Sequence, residues 1–322
     1  MGEARVMWGV EAKTSGGLAR SAEGRRHLID RDKLFDFIVF WVLTIIFVTV
    51  AYPLYFVIIS SVSRPEAVAM GRVLWHPVGF SLGGYTAILR ETSVLRGFAN
   101  SLYYTALGTF INLAVTLPAA YALSRPDFYG KKAVTIYYVI TMFISGGMIP
   151  TYLVVRSLGF LNTVWALVVP GAISVYNLLV ARTFFKTTLP DELLQAARID
   201  GCGNTQFFFL IALPLSTALV AVLSLFYGIG HWNSYFSALI YLFDQDKFPL
   251  QLVLRTILVQ NTMQQIQQMP TPEEMQEIRR RREVAELMKY SLIIVSSIPA
   301  MVVYPLVQKH FVKGVMIGSI KG

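Results

Sequence analysis

Six apolar runs, at about residues 35–61, 98–123, 133–155, 164–183, 207–230 and 290–308, decide what this chain can fold into. Crossing the hydrocarbon core of a bilayer, about 30 Å, takes roughly 20 helical residues, and each run is near that length. In lipid a segment must satisfy its own backbone hydrogen bonds, so the runs read as helices. The expected fold class is an all-α polytopic membrane protein with six transmembrane helices. Composition agrees: 15% of the 322 residues are charged and 55% are hydrophobic, where a soluble domain has about a quarter charged.

The polar segments between the runs set the orientation. With the N-terminus inside, residues 1–34, 124–132, 184–206 and 309–322 are cytosolic and hold most of the Lys and Arg outside the runs. Examples are Arg25, Arg26, Arg31 and Lys33, then Arg125, Lys131 and Lys132, then Lys309 and Lys313. Lys and Arg concentrate on the cytoplasmic side of membrane proteins, which predicts N-in and C-in. Arg279, Arg280, Arg281 and Arg282 fall in an outer loop, but long loops cross largely regardless of charge. The net charge of +9 therefore reads as orientation and contact with membrane lipid, and no nucleic-acid partner is expected. The domain reading is a basic cytosolic tail at 1–33, expected to be mobile, and a membrane domain at 34–322. Residues 62–97 form an outer loop with a short helix near Leu82–Leu89. Residues 231–289 form a longer one, with a solvent-facing helix from about Thr271.

Several chemistries are excluded. Cys202 is the single cysteine, so neither an internal disulfide framework nor a multi-cysteine metal site is expected. The first apolar run is too long for a signal peptide. No Asp or Glu lies deep in an apolar run, as a proton- or sodium-coupled carrier usually requires. No glycine-rich loop ends in Lys-Ser or Lys-Thr, so nucleotide binding by that route is absent.

Residues 190–201 are the most informative polar stretch. Pro190 suits a helix start, and Asp191 and Glu192 favour the first turn through the helix dipole. Leu193, Ala196, Ala197 and Asp200 come next at helical spacing. Gly201 permits a left-handed backbone at the helix end, and Asn204 or Thr205 can cap the next helix. A short built helix between two spans reads either as a docking element or as an amphipathic helix lying on lipid.

The run Pro190-Asp191-Glu192-Leu193, Ala196-Ala197, Asp200-Gly201 and Leu213-Pro214 resembles the EAA loop of binding-protein-dependent ABC importer permeases. The terminal Gly318-Ser319-Ile320-Lys321-Gly322 resembles the tail of the maltose-type carbohydrate permeases. The similarity covers about residues 33–322. The runs at Asn162–Leu167, Gly230–Tyr235 and Phe248–Gln251 look like the branch that imports acidic or complex oligosaccharides. The resemblance implies a type I importer permease in a bacterial cytoplasmic (inner) membrane. It implies a second permease subunit, two ABC ATPase subunits and an extracytoplasmic sugar-binding protein, which would meet the outer loop at 236–289. ATP and Mg would sit on the partner ATPase, with no cofactor on this chain and no catalysis by it. The coupling residues would be Glu192, Gln195, Ala196, Ala197, Asp200 and Gly201, with Gly318, Lys321 and Gly322 reaching the ATPase. The family's eponymous glutamate falls at Gln195, which places the charge for that contact on Glu192 instead.

Polar residues inside or beside the spans are candidates for the translocation path: Asn112, Asn177, His231, Trp232, Asn233, Tyr235 and Gln251. Amides and aromatic faces suit sugar rings. The plainer reading is interhelical bonding and an interfacial aromatic belt. Two function classes remain, an importer permease or a stand-alone carrier or channel, and co-purification of an ATPase separates them.

Overall fold

The computed structural model describes residues 15–263, 288–305 and 308, with side chains from Lys33. It is all-helical, with no strand among the described residues. Two units are distinguished, residues 1–59 and residues 60–322. The first is most of helix α1 (Ser15–Ser61). Its Lys33–Ser61 portion is long and apolar enough to cross a membrane. Residues 15–33, expected as part of a mobile tail, are helical. Extending an existing helix avoids the cost of a new nucleus, and Ala19, Arg20, Ala22 and Glu23 are good helix formers.

In the second unit short helices α2 (Pro65–Ala69) and α3 (Gly83–Arg90) precede the central helix α4 (Thr92–Ser124). Helix α3 lies where the short outer helix was expected. Next come α5 (Lys131–Phe143), α6 (Met148–Ser157), α7 (Trp165–Val168) and α8 (Val175–Thr188). The short α9 (Asp191–Ile199) is followed by α10 (Asn204–Phe207), a π-helical turn at Phe208–Ala212 and α11 (Leu213–Leu215). Last are α12 (Thr217–Trp232), α13 (Tyr235–Tyr241), α14 (Leu250–Met263) and α15 (Met288–Pro305). Helix α4 is the axis: α12, α8 and α14 all pack on it.

Among the described residues three helices, Lys33–Ser61, Thr92–Ser124 and Met288–Pro305, are long and apolar enough to span, or five segments if two bent pairs each count as one. The bent pairs are α5 with α6, at 117°, and Asn204–Leu215 with α12, at 81°. The run at 133–155 is therefore not one straight rod. The run at 207–230 bends at Ser216 just past Pro214, whose missing N–H cannot close a turn onto Leu210. The run at 164–183, expected as one span, is two helices separated by residues 169–174, where Pro170 and Gly171 interrupt the pattern. Residues 235–263, expected as the start of an outer loop, fold instead as α13 and α14. Leu250 and Leu252 of α14 are fully buried, because the apolar spacing of Leu250, Val253 and Ile257 is that of a helix packed on α4. The helix expected from Thr271 and the tail residues Gly318, Lys321 and Gly322 lie outside the described residues.

Polar side chains of α4 and α12 repair the break at 169–174. Asn112 Nδ2 donates to the carbonyls of Gly171 and Ala172, both at 2.8 Å. Its Oδ1 lies 2.6 Å from His231 Nε2. One turn along, Thr116 Oγ1 and Tyr227 OH are 2.8 Å apart, and that phenol also accepts from the Ser174 amide at 3.3 Å. Irregular backbone at membrane depth persists only where protein supplies its partners. Gly108 makes the approach possible: a Cβ there would collide with the His231 ring.

Asn112→Leu is expected to strand two carbonyls and the His231 ring, costing about 1–3 kcal/mol. The check is the thermal unfolding midpoint of the purified protein, which should fall; an unchanged midpoint contradicts the repair role.

Candidate functional site

Helix α9 begins after Pro190, which occupies the N-cap position at φ −62° and ψ 148°, one residue outside the expected first turn. Asp191 and Glu192 stand in the first turn and Arg198 in the last, each complementing the helix dipole. The helix stops at Gly201, whose φ is +81°. The next helix is preceded by Gly203, so Asn204 is its first residue rather than its cap. Asn204 instead accepts a hydrogen bond from Arg198 at 3.3 Å.

One face of α9 is sunk into the bundle. Leu194 and Ala197 are buried in the same core as Tyr121 of α4, Phe185 of α8 and Phe207 and Phe208 beyond α9. The Tyr121 ring lies 5.8, 6.2 and 5.2 Å from those of Phe185, Phe207 and Phe208. Burying a leucine contributes roughly 1.5–3 kcal/mol, so Leu194 is the main anchor. Phe209 remains exposed, whereas Phe207 and Phe208 lie in this core.

The opposite face is free. Glu192, Gln195 and Ala196 are exposed, and Ile199 is 87% exposed. Positions 192, 195, 196 and 199 recur at the helical spacing of one stripe. Asp200 and Gly201 are exposed at its end. Of the six residues assigned to coupling, five are thus presented outward, and Ala197 holds the helix to the core. Sequence reasoning missed Ile199. An isoleucine on an otherwise polar stripe is the signal that could have found it.

Charges fasten both ends of α9 to the turn after α4. Arg125 is only 8% exposed. Its Nη2 donates to Asp191 Oδ1 at 3.4 Å, its Nε lies 3.9 Å from Asp127 Oδ1, and its guanidinium sits 5.8 Å from the Tyr121 ring centroid. Arg198 Nη2 donates to Asp127 Oδ2. Arg182 Nε donates to the Leu123 carbonyl at 3.1 Å, satisfying the end of α4. The Arg198 hydrogen bond holds the Asp127 carboxyl below the usual carboxylate range, against an opposing burial effect. A lowered folded-state pKa stabilises above the ordinary carboxylate value and is lost as pH falls through the lowered one. The pairs other than Arg125 are exposed enough that each contributes at most about 1 kcal/mol; they set position more than stability.

The path candidates scatter. Asn112 is fully buried and, with His231, committed to the helix repair. Trp232 is buried, its Nε1 donating to the Ser296 carbonyl at 2.9 Å and its ring edge-on to Phe98 at 5.7 Å. Asn177 is buried in the first turn of α8, with its backbone amide capped by Ser174. Asn233 and Tyr235 are exposed, and Gln251 is half-buried.

At the far end of α4 a second polar cluster is built. Asn162, at φ +58°, accepts from the amides of Phe243 and Asp244, both at 3.2 Å. Asn100 Nδ2 donates to the carbonyls of Asp246 at 2.8 Å and Phe248 at 3.1 Å, and Arg96 pairs with Asp246.

No protein-family model matches the chain. It is 36% identical over 297 residues to the polygalacturonan/rhamnogalacturonan transport system permease protein YtcP of Bacillus subtilis (strain 168), covering 91% of this chain and 100% of that protein. The chain belongs to the permeases of carbohydrate ABC importers. Protein LplC of the same bacterium is 37% identical over 270 residues, covering 84% of the permease and 89% of LplC. The crystal structure of a bacterial ABC transporter involved in the import of the acidic polysaccharide alginate contains a similar chain. It matches with a TM-score of 0.78 at 29% identity, over 87% of the permease and 98% of that chain. The permease is therefore a membrane-embedded transport subunit of a carbohydrate importer, and nothing supports the stand-alone carrier.

Gly201→Val is expected to strain the backbone by roughly 1–2 kcal/mol or more, since L-residues avoid the left-handed region. No atom lies within 4 Å of the added Cβ position, so the effect is conformational, not steric crowding. Uptake by the reconstituted importer should be lost with the membrane domain still folded, and Gly201→Asn should retain more activity than Gly201→Val. Wild-type uptake by Gly201→Val contradicts this.

Proposed function

We propose that this chain is one of two unlike permease subunits in an importer of acidic oligosaccharides, driven by two ABC ATPase subunits and fed by an extracytoplasmic sugar-binding protein. Helix α9 carries the proposal. It is anchored through Leu194 and Ala197 and presents Glu192, Gln195, Ala196 and Ile199 outward. In this reading α9 is the coupling helix, and ATP and Mg reside on the ATPase, not on this chain. Asp200 and Gly201 end the docking surface, and the family resemblance assigns Gly318, Lys321 and Gly322, outside the described residues, to the same partner.

The orientation rests on the excess of Lys and Arg on the α9 side: N-in and C-in, six passes of the bacterial cytoplasmic membrane, with bent pairs and the 164–188 segment completing the count. The cluster around Asn162, Asn100 and Asp246 then lies outside, beside the segment that would meet the binding protein. The acidic-sugar assignment draws on the relatives named for polygalacturonan, rhamnogalacturonan and alginate. Asn177, Asn233, Tyr235 and Gln251 stay as path candidates. Asn112, His231 and Trp232 would shape the path by holding its helices.

Glu192→Ala is expected to weaken retention of the ATPase more than Gln195→Ala does. Hydrogen bonds to charged groups contribute roughly 1.5–3 kcal/mol and neutral ones about 1 kcal/mol. Equal loss in a pull-down contradicts the charge assignment. In the assembled complex, ATP hydrolysis stimulated by the binding protein should rise with oligogalacturonates or alginate fragments and not with neutral malto-oligosaccharides. The reverse preference would overturn the substrate class, and failure of any ATPase to co-purify would overturn the coupling role.

A further inference from the structure

The turn at residues 125–130 joins α4 to α5 and lies beside α9. Asp127 ties it to Arg198 at one end of that helix, and Arg125 ties it to Asp191 at the other. The turn is closed from within: Lys131 Nζ donates to the carbonyls of Arg125 and Pro126 at 3.1 and 3.0 Å. Its tip is nonetheless aromatic and bare, with Tyr129 99% exposed and Phe128 40% exposed.

We infer that Tyr129 is a second anchor for the ATPase subunit, so that the docking surface runs from α9 across the ion-paired turn. This rests on the reading of α9 as the coupling helix and extends it to a loop of the chain far away in sequence. Continuity is the first argument. The Asp127–Arg198 pair makes the turn and the exposed stripe ending at Ile199 one surface. The second is preorganisation. A tyrosine on a turn whose charges and carbonyls are already paired loses little entropy on binding and fits the composition of interface hot spots.

The test is thiol accessibility in the full permease pair in lipid nanodiscs, with and without the ATPase subunits, in a Cys202→Ser background. Tyr129→Cys and Ile199→Cys are labelled separately with a maleimide. Both thiols should be protected about tenfold or more when the ATPase binds, and Tyr129→Ala should weaken ATPase retention about tenfold while Tyr129→Phe does not, the scale of an interface hot spot. If position 199 is protected and position 129 labels at the same rate, the inference falls and the coupling-helix reading stands. If neither is protected although the ATPase is bound, the coupling-helix reading itself fails. If position 129 is already shielded in nanodiscs without ATPase and reacts freely in detergent, the turn serves the membrane surface and the inference falls.

Discussion

A break in a helix inside an apolar bundle leaves carbonyls and amides that lipid cannot satisfy, and in this permease the break at residues 169–174 sets the terms for its neighbours. Asn112 supplies two donors from one side chain, and Tyr227 accepts from the Ser174 amide while bonded to Thr116. These side chains sit on α4 and α12 at matched one-turn spacing, so repairing the break also fixes how those two helices register. Gly108 is part of the same arrangement, because the His231 ring occupies the space a side chain there would need. An unmade buried hydrogen bond costs roughly 1–3 kcal/mol, more than a neutral bond contributes. The helices are held by what separation would expose.

That fixed axis continues into α9, the proposed coupling helix. Below the repair, α4, α8 and the π-helical turn close around Tyr121, Phe185, Phe207 and Phe208, and α9 is plugged into that cluster by Leu194 and Ala197. The ion pairs from Arg125 and Asp127 add direction at both ends. A force applied to the exposed stripe of α9 would therefore pass into α4 through packed side chains and not through a slack loop.

The sequence made the helical class, α9 and its glycine stop legible, because each rests on local chemistry: apolar length, a proline start and a residue able to take a positive φ. It also exposed the family through the same loop. It did not reveal that 133–155 and 164–183 are broken. Their apolar content exceeds what a span needs, so composition masks Gly146-Gly147 and Pro170-Gly171. Nor did it reveal that Asn112 and His231, 119 positions apart, are bonded to each other, or that Asp127 meets Arg198, 71 positions away. Those roles depend on tertiary neighbours. Polar residues in a span look alike from the sequence whether they face a sugar or a broken turn, and Leu250 reads as loop because its partner helix α4 lies far upstream.

The central claim is that α9 and α4 move as one body when the importer turns over. Spin labels introduced by Gln195→Cys on α9 and Tyr103→Cys on the far half of α4, both exposed positions, report it directly through pulsed dipolar distances in the Cys202→Ser complex. The distance distribution should be the same in the nucleotide-free, ATP-bound and post-hydrolysis states while transport activity persists. A distribution that shifts between those states would show α9 sliding against α4, and the rigid connection between the two helices would be wrong.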